Sequence, residues 1–274
     1  MINFTKMHGL GNDFVVIDAI KQPVALTPEQ IQNLADRHFG IGFDQLLLVE
    51  NPTSTSADFK YRIFNADGSE VSQCGNGARC FARFVRDQGL SAKEEVLVDT
   101  NAGQLLLRFD QDGQITVNMG IPKHKPAEIP LLLAEADSYL ATINQEQIRF
   151  GAVSMGNPHA VLQVSDINTA PVAELGKILE SHTIFPERAN IGFMQVISRD
   201  QIKLRVYERG AAETMACGSG ACAAAVVGIE LGLLDNTVTV ELPGGKLRIS
   251  WAGRGTPVFM TGPAISVFEG KINL

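Results

Sequence analysis

Cys74-Gly75-Asn76-Gly77-Ala78 and Cys217-Gly218-Ser219-Gly220-Ala221 are two versions of one segment. Each cysteine stands twelve residues after the arginine of a β-rich triplet, Arg62-Ile63-Phe64 in one case and Arg205-Val206-Tyr207 in the other. Glu70 and Glu213 each stand four residues before their cysteine. On either side, Gly11-Asn12 answers Gly156-Asn157, and Ile41-Gly42-Phe43 with Gln45 answers Ile191-Gly192-Phe193 with Gln195. Val98, Gly103 and Gly120 lie 142 residues before Val240, Gly245 and Gly262. Matches kept in one order along a chain mark an internal duplication. The expected halves are residues 1–120, joined by a last strand over 264–274, and residues 121–263. Pro122 to Pro130, with three prolines and two lysines, is the crossover.

Both halves have one coarse layout. A strand ends near Gly-Asn, a helix opens at a proline, and a β-rich segment leads to the cysteine turn. A second helix and a strand pair around Gly103 or Gly245 follow. In Thr27-Pro28-Glu29-Gln30 the threonine caps the helix, proline takes its first position and Gln30 completes a capping box. Ile31, Leu34 and Ala35 then have helical spacing. The counterpart starts near Pro171, with Leu175, Ile178 and Leu179 expected on one face. After Pro263, Ile265, Val267 and Phe268 read as part of the last strand. The expected fold is α+β, two pseudo-symmetric domains with the active site in the cleft between them, without the regular βαβ alternation of a nucleotide fold.

Composition narrows the function. The 274 residues are 45% hydrophobic and 19% charged, as in ordinary soluble globular proteins. A net charge of −7 leaves no electrostatic footprint for nucleic acid. The apolar run Ala221 to Leu234 is broken by Glu230 and is too short to cross a bilayer. Met1 to Lys6 lacks a signal-peptide layout, so no membrane partner and a cytoplasmic location are expected. Four cysteines then read as thiols. Their spacing suits no zinc ribbon and no His cluster completes a site, so no metal is expected.

Each cysteine precedes a helical segment, marked by Ala78, Phe81, Phe84 and Val85 after Cys74 and by Ala221 to Val227 after Cys217. A helix N-terminus offers unpaired N–H groups and a positive dipole end. The thiol pKa is therefore expected to fall from about 8.5 toward 7, and the N–H groups to hold a carboxylate. A thiolate beside a bound carboxylate suits removal of an amino acid's Cα proton. Two such units facing each other would invert the carbon, sharing roughly one proton between them. The halves differ at Asn65 against Glu208, Ala66 against Arg209, and Phe14 against His159. That asymmetry suits a substrate with a second charged end, its carboxylate to Arg209 and its ammonium to Glu208. Cys80 and Cys222 are expected in the core, and Glu70 and Glu213 as braces of the turns. Neither cysteine segment (62–83 or 205–226) holds a lysine for a pyridoxal Schiff base, so no cofactor is expected. A thiol oxidoreductase and a duplicated amino-acid-binding protein are the rivals from other classes.

Several longer motifs carry a resemblance: Met7-His8-Gly9-Leu10-Gly11-Asn12-Asp13-Phe14, Gly42-Phe43-Asp44-Gln45, Asn65-Ala66-Asp67-Gly68-Ser69-Glu70, Met155-Gly156-Asn157-Pro158-His159, Glu187-Arg188-Ala189-Asn190, Tyr207-Glu208-Arg209-Gly210, and the two cysteine segments extended to Arg79-Cys80 and Cys222. With these the chain resembles diaminopimelate epimerase along nearly its whole length. The resemblance implies a pyridoxal-independent homodimer interconverting LL- and meso-diaminopimelate, in lysine and peptidoglycan precursor synthesis. It implies Cys74 and Cys217 as the acid–base pair, with Gly75, Asn76, Gly218 and Ser219 holding the reacting carboxylate. Asn12, Gln45, Asn65, Asn157, Asn190, Glu208 and Arg209 would line the rest of the substrate, and His159 with Glu208 would tune the second thiol. Ala212 and Met215 depart from the family pattern, where glycine and a polar residue are usual. A proline or hydroxyproline epimerase is the rival on the same scaffold, and the charged Glu208-Arg209 pair argues against it.

Overall fold

The computed structural model describes residues 1–72, 74–110 and 112–274. They divide into two compact units, Met1–Asn118 with Thr261–Leu274, and Met119–Met260. In chain order the N-terminal unit contains β1 (Ile2–Gly9), β2 (Asn12–Asp18), α1 (Pro28–Ala35), β3 (Gln45–Glu50), β4 (Phe59–Asn65), β5 (Glu70–Val71), α2 (Gly75–Asp87), β6 (Glu95–Thr100), β7 (Gly103–Phe109) and β8 (Ile115–Asn118). The C-terminal unit contains β9 (Tyr139–Ile143), β10 (Glu146–Ser154), β11 (Pro158–Gln163), α3 (Val172–Glu180), β12 (Asn190–Ser198), β13 (Gln201–Glu208), β14 (Ala212–Glu213), α4 (Gly218–Glu230), β15 (Thr237–Leu242), β16 (Gly245–Trp251) and the start of β17 (Val258–Gly262). The last strand, β18 (Ile265–Ile272), belongs to the N-terminal unit.

Strand pairing repeats from one unit to the other. β1–β2, β3–β4, β4–β5 and β6–β7 are antiparallel, whereas β2–β3 and β4–β6 are parallel. The same senses hold for β10–β11, β12–β13, β13–β14 and β15–β16, and for the parallel pairs β11–β12 and β13–β15. Register agrees too, with Phe64 opposite Glu70 and Tyr207 opposite Glu213. The fold is thus α+β, two alike units from one duplication. Each unit also has one extra strand on its first one: β18 pairs antiparallel with β1, and β9 with β10.

One sequence match is corrected by this register. Phe14 lies opposite Gln45, which lies opposite Asn65. In the C-terminal unit His159 lies opposite Asn190, and Ile191 opposite Tyr207, so the next pair along is Asn190 and Glu208. The partner of Gln45 is therefore Asn190, not Gln195. Strand pairing fixes which residues correspond, and a four-letter likeness five residues out of step does not override it.

The outer helices follow their caps. Thr27 Oγ1 accepts from the Gln30 N–H at 3.2 Å while the Thr27 N–H donates to Gln30 Oε1 at 2.9 Å. Such a cap is worth about 1 kcal/mol. Ile31, Leu34 and Ala35 bury against Val15, Ile17, Leu46 and Leu48. In α3 the buried positions are Val172, Gly176, Leu179 and Glu180, with Leu175 packed partly against the core there. Ile178, expected on that face, is 40% exposed. Gly176 takes the place beside Tyr207, whose Cβ a side chain there would meet at 2.6 Å, so the helix turns its wider side outward.

The inner helices are of another kind. α2 packs across β1, β2, β3, β7 and β8, and α4 across β10 to β13, β15 and β16. Nine residues of α2 and ten of α4 are buried, as expected of a helix surrounded by its own unit. Cys80 and Cys222 are fully buried there. Burial pushes the Cys80 thiol up to about 12, which suits packing and not reaction.

Candidate active site

Both cysteine segments are built by the same device: a strand turns back at the short β5 or β14, and a cysteine caps the buried helix that follows. Cys74 is the N-cap of α2 and Cys217 the N-cap of α4. The turn is braced by a bidentate pair in each unit. Arg62 Nε and Nη2 donate to Glu70 at 2.8 and 2.9 Å, and Arg205 Nε and Nη2 donate to Glu213 at 2.6 and 2.8 Å. The two repeated glutamates therefore brace the turns, as expected.

In the N-terminal unit Cys74 is half-buried. The Tyr61 hydroxyl donates to the Cys74 carbonyl and accepts from the Cys74 N–H, both at 3.3 Å. The Cys74 thiol donates to Asn12 Oδ1 at 3.8 Å, and Asn76 Nδ2 donates to the same oxygen at 3.3 Å. Gln45 Nε2 donates to Asn65 Oδ1 at 2.9 Å, and Asn65 Nδ2 to Ser69 at 3.1 Å. Gly77 has no room for a side chain: a Cβ would sit 2.8 Å from the Tyr61 hydroxyl. Asn12, Asn76 and Cys74 thus meet at the start of α2, with Gly75 as its first residue. Gln45 and Asn65 form a separate pair at the ends of β3 and β4.

The C-terminal unit arranges different partners around the same cap. Cys217 Sγ accepts from the Gly220 N–H at 3.3 Å and lies 3.7 Å from Ser219 Oγ. Asn157 Nδ2 donates to Ser219 Oγ at 3.5 Å, and His159 Nε2 lies 3.0 Å from Asn157 Oδ1. His159 therefore reaches the sulfur through Asn157 and Ser219. It lies inside β11, 1% exposed. Burial, with Arg209 adding to it, holds the imidazole down to about 3, so it is neutral at physiological pH. Glu208 accepts a hydrogen bond from the Thr214 hydroxyl. Asn190 spends its amide on the backbone, donating to the Pro158 carbonyl at 3.2 Å and accepting from the Arg209 N–H at 3.0 Å. The Arg209 guanidinium is exposed and donates to the Glu187 carbonyl at 3.0 Å.

The expected lowering of the thiol pKa fails at Cys217. Burial pushes this thiol well above its usual range and the Glu208 carboxylate pushes the same way, while Ser219 and the Gly220 N–H oppose them. The thiol of a cysteine that is 4% exposed loses more from desolvation than one helix terminus returns. Burial and Glu208 thus favour the protonated form of Cys217.

Three contributors escaped the sequence. Tyr61 corresponds to Leu204 in the repeat, and Thr214 to Val71; both are mismatches between halves, the kind of signal that singled out Glu208. Arg79 stood inside a quoted motif without a role, and it is fully buried. Among the described residues no group of three or more His, Cys, Asp or Glu is placed to hold a metal ion, and no helix is long and apolar enough to cross a membrane.

Two glycine-flanked cysteines capping equivalent buried helices are a specific pattern, and the chain matches the diaminopimelate epimerase family over residues 4–125 and 151–267. The chain belongs to that family. Solved structures of related fold extend across nearly the whole chain. A PhzF-family phenazine biosynthesis protein from Bacillus anthracis is 19% identical, with a TM-score of 0.71 over 100% of this chain and 99% of that one. Hydroxyproline epimerase from Agrobacterium vitis, solved with bound trans-4-hydroxy-L-proline, is 15% identical, with a TM-score of 0.69 over 98% and 91%. A predicted epimerase from Pseudomonas aeruginosa is 17% identical, with a TM-score of 0.69 over 99% and 99%. At such identities the likeness is one of fold, and chemistry varies on one fold.

Proposed function

We propose that the chain is a diaminopimelate epimerase that inverts Cα without a cofactor, using Cys74 and Cys217 as its two acid–base groups in a cleft between the units. The observation that carries this is the pair of equivalent helix caps within a chain of this family. Gly75 and Asn76 at one helix start, and Gly218 and Ser219 at the other, would hold the reacting carboxylate with first-turn N–H groups. Cys217, kept protonated by burial and by Glu208, would give a proton to one face of the carbon as Cys74 removes one from the other. Microscopic reversibility exchanges the roles in the opposite direction.

The distal end of the substrate would be read by groups that the repeat does not duplicate. Glu208 and the exposed Arg209 offer an anion and a cation to an ammonium and a carboxylate, with Asn12, Gln45, Asn65, Asn157 and Asn190 completing the surface. A homodimer acting in the cytoplasm, in lysine and peptidoglycan precursor synthesis, belongs to the same proposal. Incubation of LL- or meso-diaminopimelate in deuterated water tests it. The expected result is inversion with deuterium at Cα and no added cofactor; absence of both ends the proposal. Lysine, lacking the distal carboxylate, should be a very poor substrate. Faster exchange into 4-hydroxyproline than into diaminopimelate would instead favour the rival substrate class.

A further inference from the structure

Around Cys74 the polar side chains form a series with one donor–acceptor sense. Arg79 Nη2 donates to Asn76 Oδ1 at 2.9 Å, Asn76 Nδ2 to Asn12 Oδ1 at 3.3 Å, and Asn12 Nδ2 to Asp44 Oδ2 at 3.0 Å. Arg37 Nη2 closes the far end on Asp44 Oδ1 at 2.7 Å. A carboxylate only accepts hydrogen bonds. Asp44 therefore draws the amino group of Asn12 to itself and leaves the carbonyl oxygen toward Cys74, whose thiol donates to it at 3.8 Å.

Asp44 is itself held. Its Oδ2 also accepts from the Asp13 N–H at 3.1 Å, and Arg37 spans to both oxygens of Asp13 at 3.0 and 2.9 Å. Lys6 Nζ donates to Asp13 at 2.6 Å and to the Gly42 carbonyl. Burial works against the Asp13 carboxylate, yet Arg37 and Lys6 outweigh it and hold that carboxyl well below its usual range. The ion pair of Asp13 with Arg37 fixes the guanidinium that also holds Asp44, and with it the orientation of Asn12.

We propose that Asp44 is a positioning residue for Cys74: through Asn12 it sets an oxygen against the sulfur and thereby raises the share of Cys74 held as the thiol, the minor thiolate being the base of the proposed reaction. An oxygen lone pair facing Sγ accepts S–H and repels a thiolate. The meaning of this device for catalysis rests on the proposed epimerase reading; its effect on the thiol does not.

The test is alkylation of the whole chain by iodoacetamide from pH 6 to 9, quantified at the Cys74 peptide by mass spectrometry. Asp44→Ala and Asn12→Ala should each alkylate at least about threefold faster than wild type at pH 7, because a pKa lowered by one unit raises the thiolate fraction about tenfold. Asp44→Asn, whose amide oxygen can still accept from Asn12, should stay close to wild type. Equal acceleration in Asp44→Ala and Asp44→Asn would overturn the proposal, since loss of charge alone would then suffice. An unchanged or slower Asp44→Ala would overturn it as well. Should Asp44→Ala fail to fold, Asn12→Ala and Asp44→Asn decide on the same terms. Under the epimerase reading the acid limb of kcat/KM also moves to lower pH in Asp44→Ala. A shift in alkylation without that movement would sink the catalytic reading and leave the positioning role standing.

Discussion

At the scale of single residues, the two thiols are equivalent in backbone and unequal in surroundings. Cys217 is sealed beside Glu208, whereas Cys74 is half-buried and faces amides. Cys74→Ala and Cys217→Ala should each lower epimerisation of diaminopimelate by at least about a hundredfold, the smaller end of what general acid–base groups contribute, with unchanged far-ultraviolet circular dichroism. Retention of a tenth of wild-type turnover by either would remove that residue from the chemistry. His159 gives a prediction with a defined sign. Its folded pKa of about 3 lies below the value of about 6.5 in an unfolded chain. As pH falls below 6.5 the unfolded chain gains a proton that the folded chain refuses, so this contribution is complete above 6.5 and is lost progressively toward 3. At pH 4.5 the loss is on the order of 2–3 kcal/mol. In His159→Phe, which installs the residue found at Phe14, urea unfolding at pH 7.5 and 4.5 should show a correspondingly smaller drop than in wild type. Equal drops in both would mean that the imidazole is not held neutral. The places of Cys74 and Cys217 at helix starts, and the difference at Glu208, were legible in the sequence because a repeat shows both what is kept and what is changed. The raised pKa of Cys217 was not, because desolvation depends on what the other strands lay over the sulfur.

At the scale of elements, the glycines that follow the cysteines decide how closely each helix start approaches its strands. A Cβ at Gly77 would stand 2.8 Å from the Tyr61 hydroxyl and 3.2 Å from the Phe14 ring, and one at Gly220 would stand 3.0 Å from Val206 and 3.1 Å from Cys217 Sγ. Gly77→Ala should destabilise the chain by about 1–3 kcal/mol, as overpacking of a tight core does. Helical propensity alone would favour alanine by up to about 1 kcal/mol, so an increase in the urea midpoint would show that the tight approach is not real. The helices α1, α2 and α4 could be read from caps and apolar spacing. Ile178 shows where such reading stops: its spacing in α3 is right for the buried face, but Gly176 lets that helix settle closer to Tyr207 on one side and lifts Ile178 into solvent. The false match of Gln45 with Gln195 has a related origin. Short apolar strings recur in strands, and only cross-strand partners show which copies correspond.

At the scale of the whole molecule, the repeat is offset by one strand: β18 does for β1 what β9 does for β10. Ending the chain after Pro263 should therefore uncover the backbone edge of β1 and remove the edge-on contact of Phe268 with Phe4, whose ring centroids are 6.0 Å apart. Hydrogen exchange read by mass spectrometry should then rise in peptides covering Ile2–Asp18 and stay level in those covering β10 to β13. Equal protection of Ile2–Asp18 in both forms would show that β18 is a passive appendage. The offset also sets an order of events on the ribosome. The C-terminal unit is contiguous from Met119 to Met260 and can close as soon as it has emerged. The N-terminal unit, although translated earlier, must wait with one edge of β1 unpaired until all of its sibling has been made. Unpaired edges invite intermolecular pairing, so the nascent chain is most exposed to chaperones and to aggregation at β1, in the unit translated earlier, and not in the unit translated later.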